Sequence, residues 1–342
     1  MLYVTTRSNQ ETYTAYHALT ENRAPDGGFY VPLKMPLLDQ AQIESLTKRP
    51  FNQCVAEIMN LLFGCNLTAF DLDFSIGRSP VRITALNHRI LIGECWHNLS
   101  WDYEQMVKTL YRKVVTDAQT EPSDWFRIGL RIAVLFGFWG KLMRREIAGV
   151  KTPVDLAVLS GDFSVPMAVW YARSMGLPIG NIVCCCNENS SVWELFHHGE
   201  FRTGTIAIKT ELPAADVAVP VSLERLIHGC GGYAVSCKYV DVLRKGGIYR
   251  PNDVILGRLK YGMDVSVVSS KRTQSAIVNV YRSQGYMMNP YTAMQYTGLQ
   301  DYRSRTGETG MALVLAERSP AKNLQLLSRA TDIPEEEIMK RL

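Results

Sequence analysis

The sequence lacks the features that mark a nucleic-acid-binding or membrane protein. Its 342 residues carry a net charge of +4 and no run of Lys and Arg longer than two residues, whereas nucleic-acid-binding proteins usually concentrate basic side chains on one face or tail. No stretch contains the roughly 18 uninterrupted apolar residues that a membrane span requires. No apolar segment follows a basic start at the N-terminus, as it would in a secretory signal. We therefore expect a cytoplasmic protein with neither nucleic acid nor membrane as a partner.

The cysteines show no pattern typical of disulfide bonds or of a metal site. Three of the eight are consecutive, Cys184 to Cys186, within an apolar run. Successive side chains of a strand face opposite sides of its sheet, and free cysteine buries as a small hydrophobic residue, so this run indicates a buried strand; a metal or redox role is the alternative. Cys230 and Cys237 lack Cys-x-x-Cys spacing and an accompanying histidine pair. The sequence predicts no metal site.

The alternation of apolar segments predicts an α/β fold. The short apolar runs Val154 to Leu159 and Ile182 to Cys186 are typical of buried strands, and Pro166 to Met175 between them has the length of a helix, which Gly176 and Pro178 would end. Further segments continue the alternation: strands at Val81–Leu86 and Arg89–Ile92, and helices within Met35–Gly64, at Tyr103–Val115, at Ile128–Trp139 and at Val192–His198. This order implies right-handed crossovers and a parallel sheet with flanking helices.

Several short segments form an ordered set of motifs along the chain. They are Thr5–Arg7, Ala24–Pro32, Trp125–Ile128, Ser160–Phe163, Met175–Ile179, Asn187–Asn189, Phe196–Phe201, Gly285-Tyr286, Asn289–Ala293 and Ser319–Lys322. The set resembles threonine synthase, a pyridoxal-phosphate enzyme of the tryptophan-synthase-β-like fold, and Ala24–Pro32 is nearly identical to that family's signature. The resemblance implies an N-terminal threonine-synthase-like region, residues 1–116, and an α/β core domain, residues 117–342.

The resemblance places an unexpected residue where the family has its cofactor lysine. In threonine synthases a strand ending in Glu-Leu-Phe-His-Gly-Pro-Thr leads to the lysine that forms the Schiff base with pyridoxal phosphate. Glu94 to Ser100 corresponds to that strand end, and Glu104 falls at the lysine position. Because a carboxylate cannot condense with an aldehyde, the Schiff base is expected to be lost. Lys108, one helical turn further on, is a remote alternative.

The segment that resembles the family's phosphate-binding loop is also altered. The family's Gly-Asn-Phe-Gly-Asn loop presents backbone N–H groups at a helix N-terminus, and the corresponding residues here are Ser160, Gly161, Asp162, Phe163 and Ser164. Asp162 brings a negative charge towards the phosphate position, and Ser164 replaces a flexible glycine. We interpret Asp162 mainly as a cap of the following helix, with a ligand role as the alternative. No cofactor is therefore expected, although active relatives use pyridoxal phosphate.

A third departure lies between Lys113 and Ser123. There the family inserts a small mobile subdomain, which carries the Ser-Gly-Asp-Thr-Gly loop that grips the substrate carboxylate. This chain crosses the same interval in a short polar stretch, Thr116 to Ser123, and contains no Ser-Gly-Asp-Thr-Gly segment. The resemblance therefore implies a fold in which this subdomain is largely deleted.

Three functions are compatible with these departures. The favoured one is a pseudoenzyme without catalytic residues that binds a small molecule or a protein partner, a homo-oligomer included. The second is a working threonine-synthase-type lyase or transferase that uses Lys108 or no lysine at all. The third is a new acid–base chemistry, whose candidate residues are Glu94, His97, Glu104, Asp162, His197 and His198. Further candidates for the cleft are His97, Asn187 and Ser319, although His97 is interpreted mainly as a scaffold residue and His197 and His198 as surface residues.

The resemblance also predicts where the two altered positions meet. Glu104 and Asp162 should approach one cleft from opposite sides, because their family counterparts hold two parts of one cofactor. Two carboxylates placed there without a cation would raise each other's pKa. We therefore expect a cleft that is small, filled by aromatic side chains, or supplied with water or a nearby Arg or Lys.

Overall fold

A computed structural model describes residues 1–78, 80–96, 102–115, 120–145, 147, 149 and 151–342. His97 lies outside the described residues. The strands are β1 Tyr3–Thr5, β2 Tyr30–Pro32, β3 Arg82–Ala85, β4 Ile90–Glu94, β5 Val154–Leu159, β6 Ile179–Cys186, β7 Phe201–Arg202, β8 Ile248–Tyr249, β9 Met263–Val267 and β10 Ala312–Ala316. The helices are α1 Ala15–Thr20, α2 Gln40–Lys48, α3 Phe51–Phe63, α4 Ala69–Ile76, α5 Tyr103–Val114, α6 Asp124–Arg144, α7 Ser164–Ser174, α8 Ser191–His198, α9 Leu223–Lys245, α10 Asp253–Lys260, α11 Ser270–Gln284, α12 Pro290–Thr306, α13 Leu324–Thr331 and α14 Glu335–Arg341.

The centre of the molecule is a six-stranded sheet in the order β3-β4-β10-β5-β6-β9. β3 is antiparallel to β4, and the other neighbours pair in parallel. Within it β5 and β6 are adjacent, with Ala157 opposite Val183 and α7 as the connecting helix. This confirms the predicted parallel pair and its crossover. Strands buried on both faces, as β10 is along its whole length, explain the continuous apolar runs in the sequence.

The long helix α6 is buried on nearly all sides, as expected for a helix that is apolar all round. Ser123 caps it, because its Oγ accepts a hydrogen bond from the backbone N–H of Phe126 at 3.1 Å. Gly140 allows close packing: a Cβ atom at this position would lie 2.5 Å from the backbone oxygen of Thr47 at the end of α2. Helix α6 thus supports the sheet at short range, and it carries two arginines, Arg127 and Arg131, towards the sheet's carboxyl edge.

The N-terminal motif residues tie the start of the chain to helix α9. Arg7 donates two hydrogen bonds to the carboxylate of Glu224, each 3.0 Å long, and Thr6 donates a third from its hydroxyl. The hydroxyl of Thr5 bonds Asp26, whose other oxygen accepts the N–H of Gly28. These contacts give the motifs Thr5–Arg7 and Ala24–Pro32 a structural role.

Two expectations concern the organisation of the chain around residue 116. Helices α5 and α6 are joined through residues 115–123, part of which is described, so this connection is too short for a subdomain. The six-stranded sheet takes strands from both sides of residue 116, and the proposed division of the chain there stays a prediction.

The cysteine run forms the buried part of β6, and this confirms the predicted strand. Cys184, Cys185 and Cys186 are all buried and unbonded to other cysteines. Burial raises the pKa of Cys186 to about 12, so its thiol stays protonated and unreactive at neutral pH. Over the described ranges there is no cluster of three His, Cys, Asp or Glu residues that could hold a metal ion. Within the same ranges, none of the helices has the length and apolar character to cross a membrane.

Candidate functional site

A cavity of about 390 Å³ opens at the carboxyl ends of β5 and β10. Parallel α/β sheets usually bind ligands at this edge, because the loops and helix N-termini there leave a crevice. Glu104 from α5, Arg127 and Arg131 from α6 and the loop that holds Asp162 line its wall. The structure therefore places Glu104 and Asp162 at one cleft, as the sequence predicts. The expected basic partner is also present, in the two arginines.

Glu104 forms an ion pair with Arg127 across the cavity wall. Nη1 of Arg127 lies 2.7 Å from Oε1 and 2.5 Å from Oε2 of the carboxylate. Asp102 starts helix α5 one turn earlier by accepting the backbone N–H of Gln105 at 3.2 Å. The carboxylate at the position that the resemblance gives to lysine is thus held by a cation, so a condensation with an aldehyde has no amine there.

Asp162 occupies the anion position at the start of helix α7. Its Oδ1 accepts hydrogen bonds from the backbone N–H of Ser164 at 2.9 Å and from the Ser164 hydroxyl at 2.6 Å. The preceding Gly161 has φ of +42° and the following Phe163 has φ of +69°, which bend the loop back onto the helix end. Helix N-termini favour negative charge, and here the chain supplies that charge itself. Asp162 thus caps the first N–H group of α7 from the residue before the N-cap position, which is Phe163.

Arg131 and Glu317 form a second, more buried ion pair. Nε and Nη2 of Arg131 lie 2.6 and 3.1 Å from the two carboxylate oxygens, and the guanidinium carbon lies 4.4 Å from the centre of the Tyr103 ring. Burial acts to lower the pKa of Arg131, but the Glu317 carboxylate outweighs it and the pKa lies above its ordinary value. The third nitrogen, Nη1, is buried and has no hydrogen-bond partner in the described part of the chain.

Two further side chains give the cavity its polarity. Gln295 from α12 lines it and is only 4% exposed, and its Oε1 finds no partner among the residues described. Arg318 lines the cavity too but is exposed, with its guanidinium carbon 4.4 Å from the centre of the Tyr291 ring. No carboxylate of the described residues pairs with Arg318. The cavity thus offers one unneutralised cation and one unused buried acceptor.

A buried arginine behind the Asp162 loop was missed by sequence reasoning. Arg225, near the start of α9, is 1% exposed, donates to the Ser222 hydroxyl at 3.0 Å and packs over the Phe29 ring. Burial lowers the pKa of Arg225, and nearby carboxylates, Asp162 among them, oppose that shift. The sequence does contain one signal for its burial, because Arg225 lies among apolar residues at the start of a helix.

Several sequence candidates lie away from the cavity. Lys108 is exposed on α5 and is not among the described residues of the cavity wall. Glu94 is fully buried, where it accepts hydrogen bonds from Tyr286 at 2.7 Å and Thr84 at 3.1 Å and pairs with Arg82. The contacts of Glu94 are those of a structural carboxylate.

Asn187 and Ser319 are buried but do not belong to the described cavity wall. The Asn187 amide donates to Asp216 at 2.6 Å and to Thr210 at 3.1 Å, and so fixes the loop that contributes Ala214 and Val217 to the cavity. The Ser319 hydroxyl caps a short helical turn by accepting the backbone N–H of Ala321. Both residues hold neighbouring segments in place and do not line the cavity within the described residues.

Of the two adjacent histidines, His197 differs from its expected role as a surface residue and His198 matches it. His197 is half-buried, stacks on Trp193, and has Nε2 3.1 Å from the backbone oxygen of Val265 in β9. It therefore covers part of the edge strand of the sheet, where unpaired backbone groups would otherwise be open. His198 is exposed. Neither histidine lies among the described residues of the cavity.

The fold and cleft define the class of the protein: an α/β protein with a polar cavity at the carboxyl edge of a parallel sheet. Residues 2–79 match the family model described as threonine synthase N terminus. The threonine synthase of Pseudomonas aeruginosa is 24% identical over 249 residues, which are 68% of this chain and 52% of that protein. Threonine synthase-like 1 of Homo sapiens is 21% identical over 197 residues, 56% of this chain and 26% of that protein.

Solved threonine synthases share the fold at low sequence identity. A pyridoxal-phosphate-bound threonine synthase from Brucella melitensis superimposes with a TM-score of 0.85 and 16% identity, over 97% of this chain and 92% of that one. The yeast threonine synthase gives 0.81 and 16%, over 96% and 89%. In sequence, the chain spans about half the length of the bacterial relative that it matches. The N-terminal region of this chain thus matches the threonine synthase family model, and the whole chain shares the fold of solved threonine synthases.

Proposed function

We propose that this chain is a threonine synthase-like protein that has lost pyridoxal-phosphate-dependent catalysis and uses the cleft to bind another small molecule. The observation that carries the proposal is the ion pair between Glu104 and Arg127. It puts a neutralised carboxylate where the family resemblance requires a free amine. The proposal therefore concerns a binding or regulatory protein rather than a lyase.

The cleft residues do not fit the cofactor at its phosphate end either. A phosphate at the N-terminus of α7 would need the backbone N–H of Ser164, which already donates to Asp162. It would also meet the Asp162 carboxylate, and like charges repel strongly in a partly desolvated cavity. The two ends of the cofactor are thus disfavoured by independent residues, Glu104 and Asp162.

A relocated lysine is the remaining route to an active enzyme. No lysine lines the cavity within the described ranges. Lys322 lies in an adjoining recess, where its ammonium is 3.7 Å from the carboxylate of Asp102. Its ammonium is thus engaged by a carboxylate that is not among the described residues of the cavity wall, whereas a Schiff-base lysine must reach the cofactor as a neutral amine. We therefore favour the non-catalytic function.

The purified protein should be colourless and should not retain pyridoxal phosphate after incubation and desalting. The physical reason is the combination of Glu104 and Asp162 described above. Absorbance spectra before and after borohydride reduction, followed by peptide mass mapping, measure this directly. A catalytically competent pyridoxal-phosphate enzyme treated in parallel controls for loading. A reducible adduct on Lys108 or Lys322 would show that the lysine has moved and would overturn the proposal.

Restoring the lysine alone, by Glu104→Lys, should not produce threonine from O-phosphohomoserine in the presence of added pyridoxal phosphate. The new ammonium would face Arg127 without its partner, and the family's substrate-gripping loop would still be missing, although positioning supplies much of an enzyme's rate. Glu104→Gln is the matched control, since it removes the charge without adding an amine. Threonine release by the lysine variant above that control would contradict the claim of several independent losses.

A further inference from the structure

Two buried polar atoms at the cavity are left without partners, and they are of opposite kinds. Nη1 of Arg131 is a cationic donor, and Oε1 of Gln295 is an acceptor; neither has a hydrogen bond within the described ranges. Both side chains line the same cavity. Buried polar groups in folded proteins are nearly always satisfied, and an orphaned one is costly. The pair therefore points to a ligand that accepts from Arg131 and donates to Gln295.

The charges around the cavity narrow the chemistry of that ligand. Glu104 is neutralised by Arg127, and Glu317 by Arg131. Arg318 remains without a carboxylate in the described part of the chain, and its stacking on Tyr291 holds it at the cavity. An anionic group between the two arginines would give Arg318 a counter-ion and would accept a hydrogen bond from Nη1 of Arg131, because arginine nitrogens bind planar carboxylates well.

The occupied N-terminus of α7 favours a carboxylate over a phosphate as the anionic group. A phosphate would seek the helix N-terminus of α7, and that position is filled by Asp162. Asp124 and Asp162, two further acidic residues of the cavity wall, add negative potential to the cavity. This potential disfavours a dianion and favours a hydroxyl or ammonium donor near Gln295.

We propose that the cavity binds a small carboxylic acid that carries a hydroxyl or ammonium group, with its carboxylate at Arg131 and Arg318 and its donor at Gln295. The inference rests on the proposed function, since it assigns to the ligand the space that a lysine-bound cofactor would occupy in an active relative. It names a ligand class for the cleft and requires no covalent step.

Isothermal titration calorimetry with four probes on the full chain tests the ligand class. L-Serine carries a carboxylate with both donors, D-glycerate carries a carboxylate with hydroxyl groups only, ethanolamine lacks the carboxylate, and inorganic phosphate replaces it. We expect binding of L-serine, D-glycerate or both, and at least a ten-fold weaker affinity for ethanolamine and phosphate. Binding of serine alone would assign the donor as ammonium, and binding of glycerate at equal strength would assign it as hydroxyl.

Variants test the assigned residues. Arg318→Met should weaken binding of the carboxylate probe at least ten-fold, which is about 1.4 kcal/mol, and its exposed position makes misfolding no concern. Gln295→Met keeps the side-chain length and should weaken binding through loss of the acceptor. The control is Arg78→Met, which removes a cation that is 91% exposed and is not among the described cavity residues, and it should bind like the parent.

The outcomes separate this inference from the proposed function. If neither carboxylate probe binds at concentrations up to roughly 10 mM, the proposed ligand class is wrong. The absence of a cofactor adduct would in that case still support the proposed function. Equal binding of ethanolamine or phosphate, or unchanged binding by Arg318→Met, would overturn it as well. A lysine adduct of pyridoxal phosphate would instead overturn the proposed function.

Discussion

Replacing Glu317 with alanine should lower the free energy of unfolding by about 3 to 5 kcal/mol, the usual cost of removing one partner of a buried ion pair. The reason is that Arg131 would remain inside the protein, with its side chain 11% exposed, and would lose both hydrogen bonds to the carboxylate. Its Nη1 already lacks a partner in the described chain. Urea unfolding followed by tryptophan fluorescence measures the change.

Glu104→Ala is the matched control for this prediction. Glu104 also pairs with a cavity arginine, but its side chain is 46% exposed, so water screens the charges. We expect a loss of about 0 to 1 kcal/mol, as for surface ion pairs. Equal losses for the two variants would mean that burial does not distinguish the pairs, and the account of Arg131 as a buried cation would be wrong.

Gly140→Ala should destabilise the protein by about 3 kcal/mol, at the upper end of the range for overpacked cores. The added Cβ atom would lie 2.5 Å from the backbone oxygen of Thr47, and a backbone atom cannot rotate away as a side chain can. Helix α6 would have to move away from α2 and would carry Arg127 and Arg131 with it. Thermal and urea unfolding measure the loss of stability.

Gly257→Ala, in helix α10, controls for the effect of a glycine substitution by itself. A Cβ atom at Gly257 meets no described atom within 4 Å, so only helix propensity changes. Alanine is better than glycine in a helix interior by roughly 0.5–1 kcal/mol, and this variant should be slightly more stable than the parent. A loss of stability at Gly257 similar to that at Gly140 would remove the packing explanation.

The pairing of strands that follow one another along the chain could be predicted from the sequence. The apolar runs of β5 and β6, with one helix between them, allow a single parallel arrangement. The position of β10 between β4 and β5 was not predictable in the same way, because β10 comes more than a hundred residues later in the chain than either. Long-range pairing leaves no local pattern beyond an apolar run.

The location of the cavity could be predicted from the sequence, whereas the ion pairs of its wall could not. The family resemblance places Glu104 and Asp162 at one cleft, and the structure has them there. The partner of Arg131 is Glu317, 186 positions further along the chain, so the helix Ile128–Trp139 could be predicted from the sequence without any role for Arg131. An arginine inside an apolar helix needs a partner when it is buried, and that requirement predicts a distant carboxylate without identifying it.

The Asp162 carboxylate competes with free phosphate for the N-terminus of helix α7. A free phosphate that approached helix α7 would have to displace a carboxylate tethered two residues from the N–H group that it binds. A tethered group acts at a high effective concentration, on the order of millimolar or above for short connections. Weak phosphate ligands at ordinary cellular levels therefore compete poorly for this helix end. We therefore expect this single side chain to disfavour phosphate at the helix end, because its carboxylate already accepts the N–H group of Ser164.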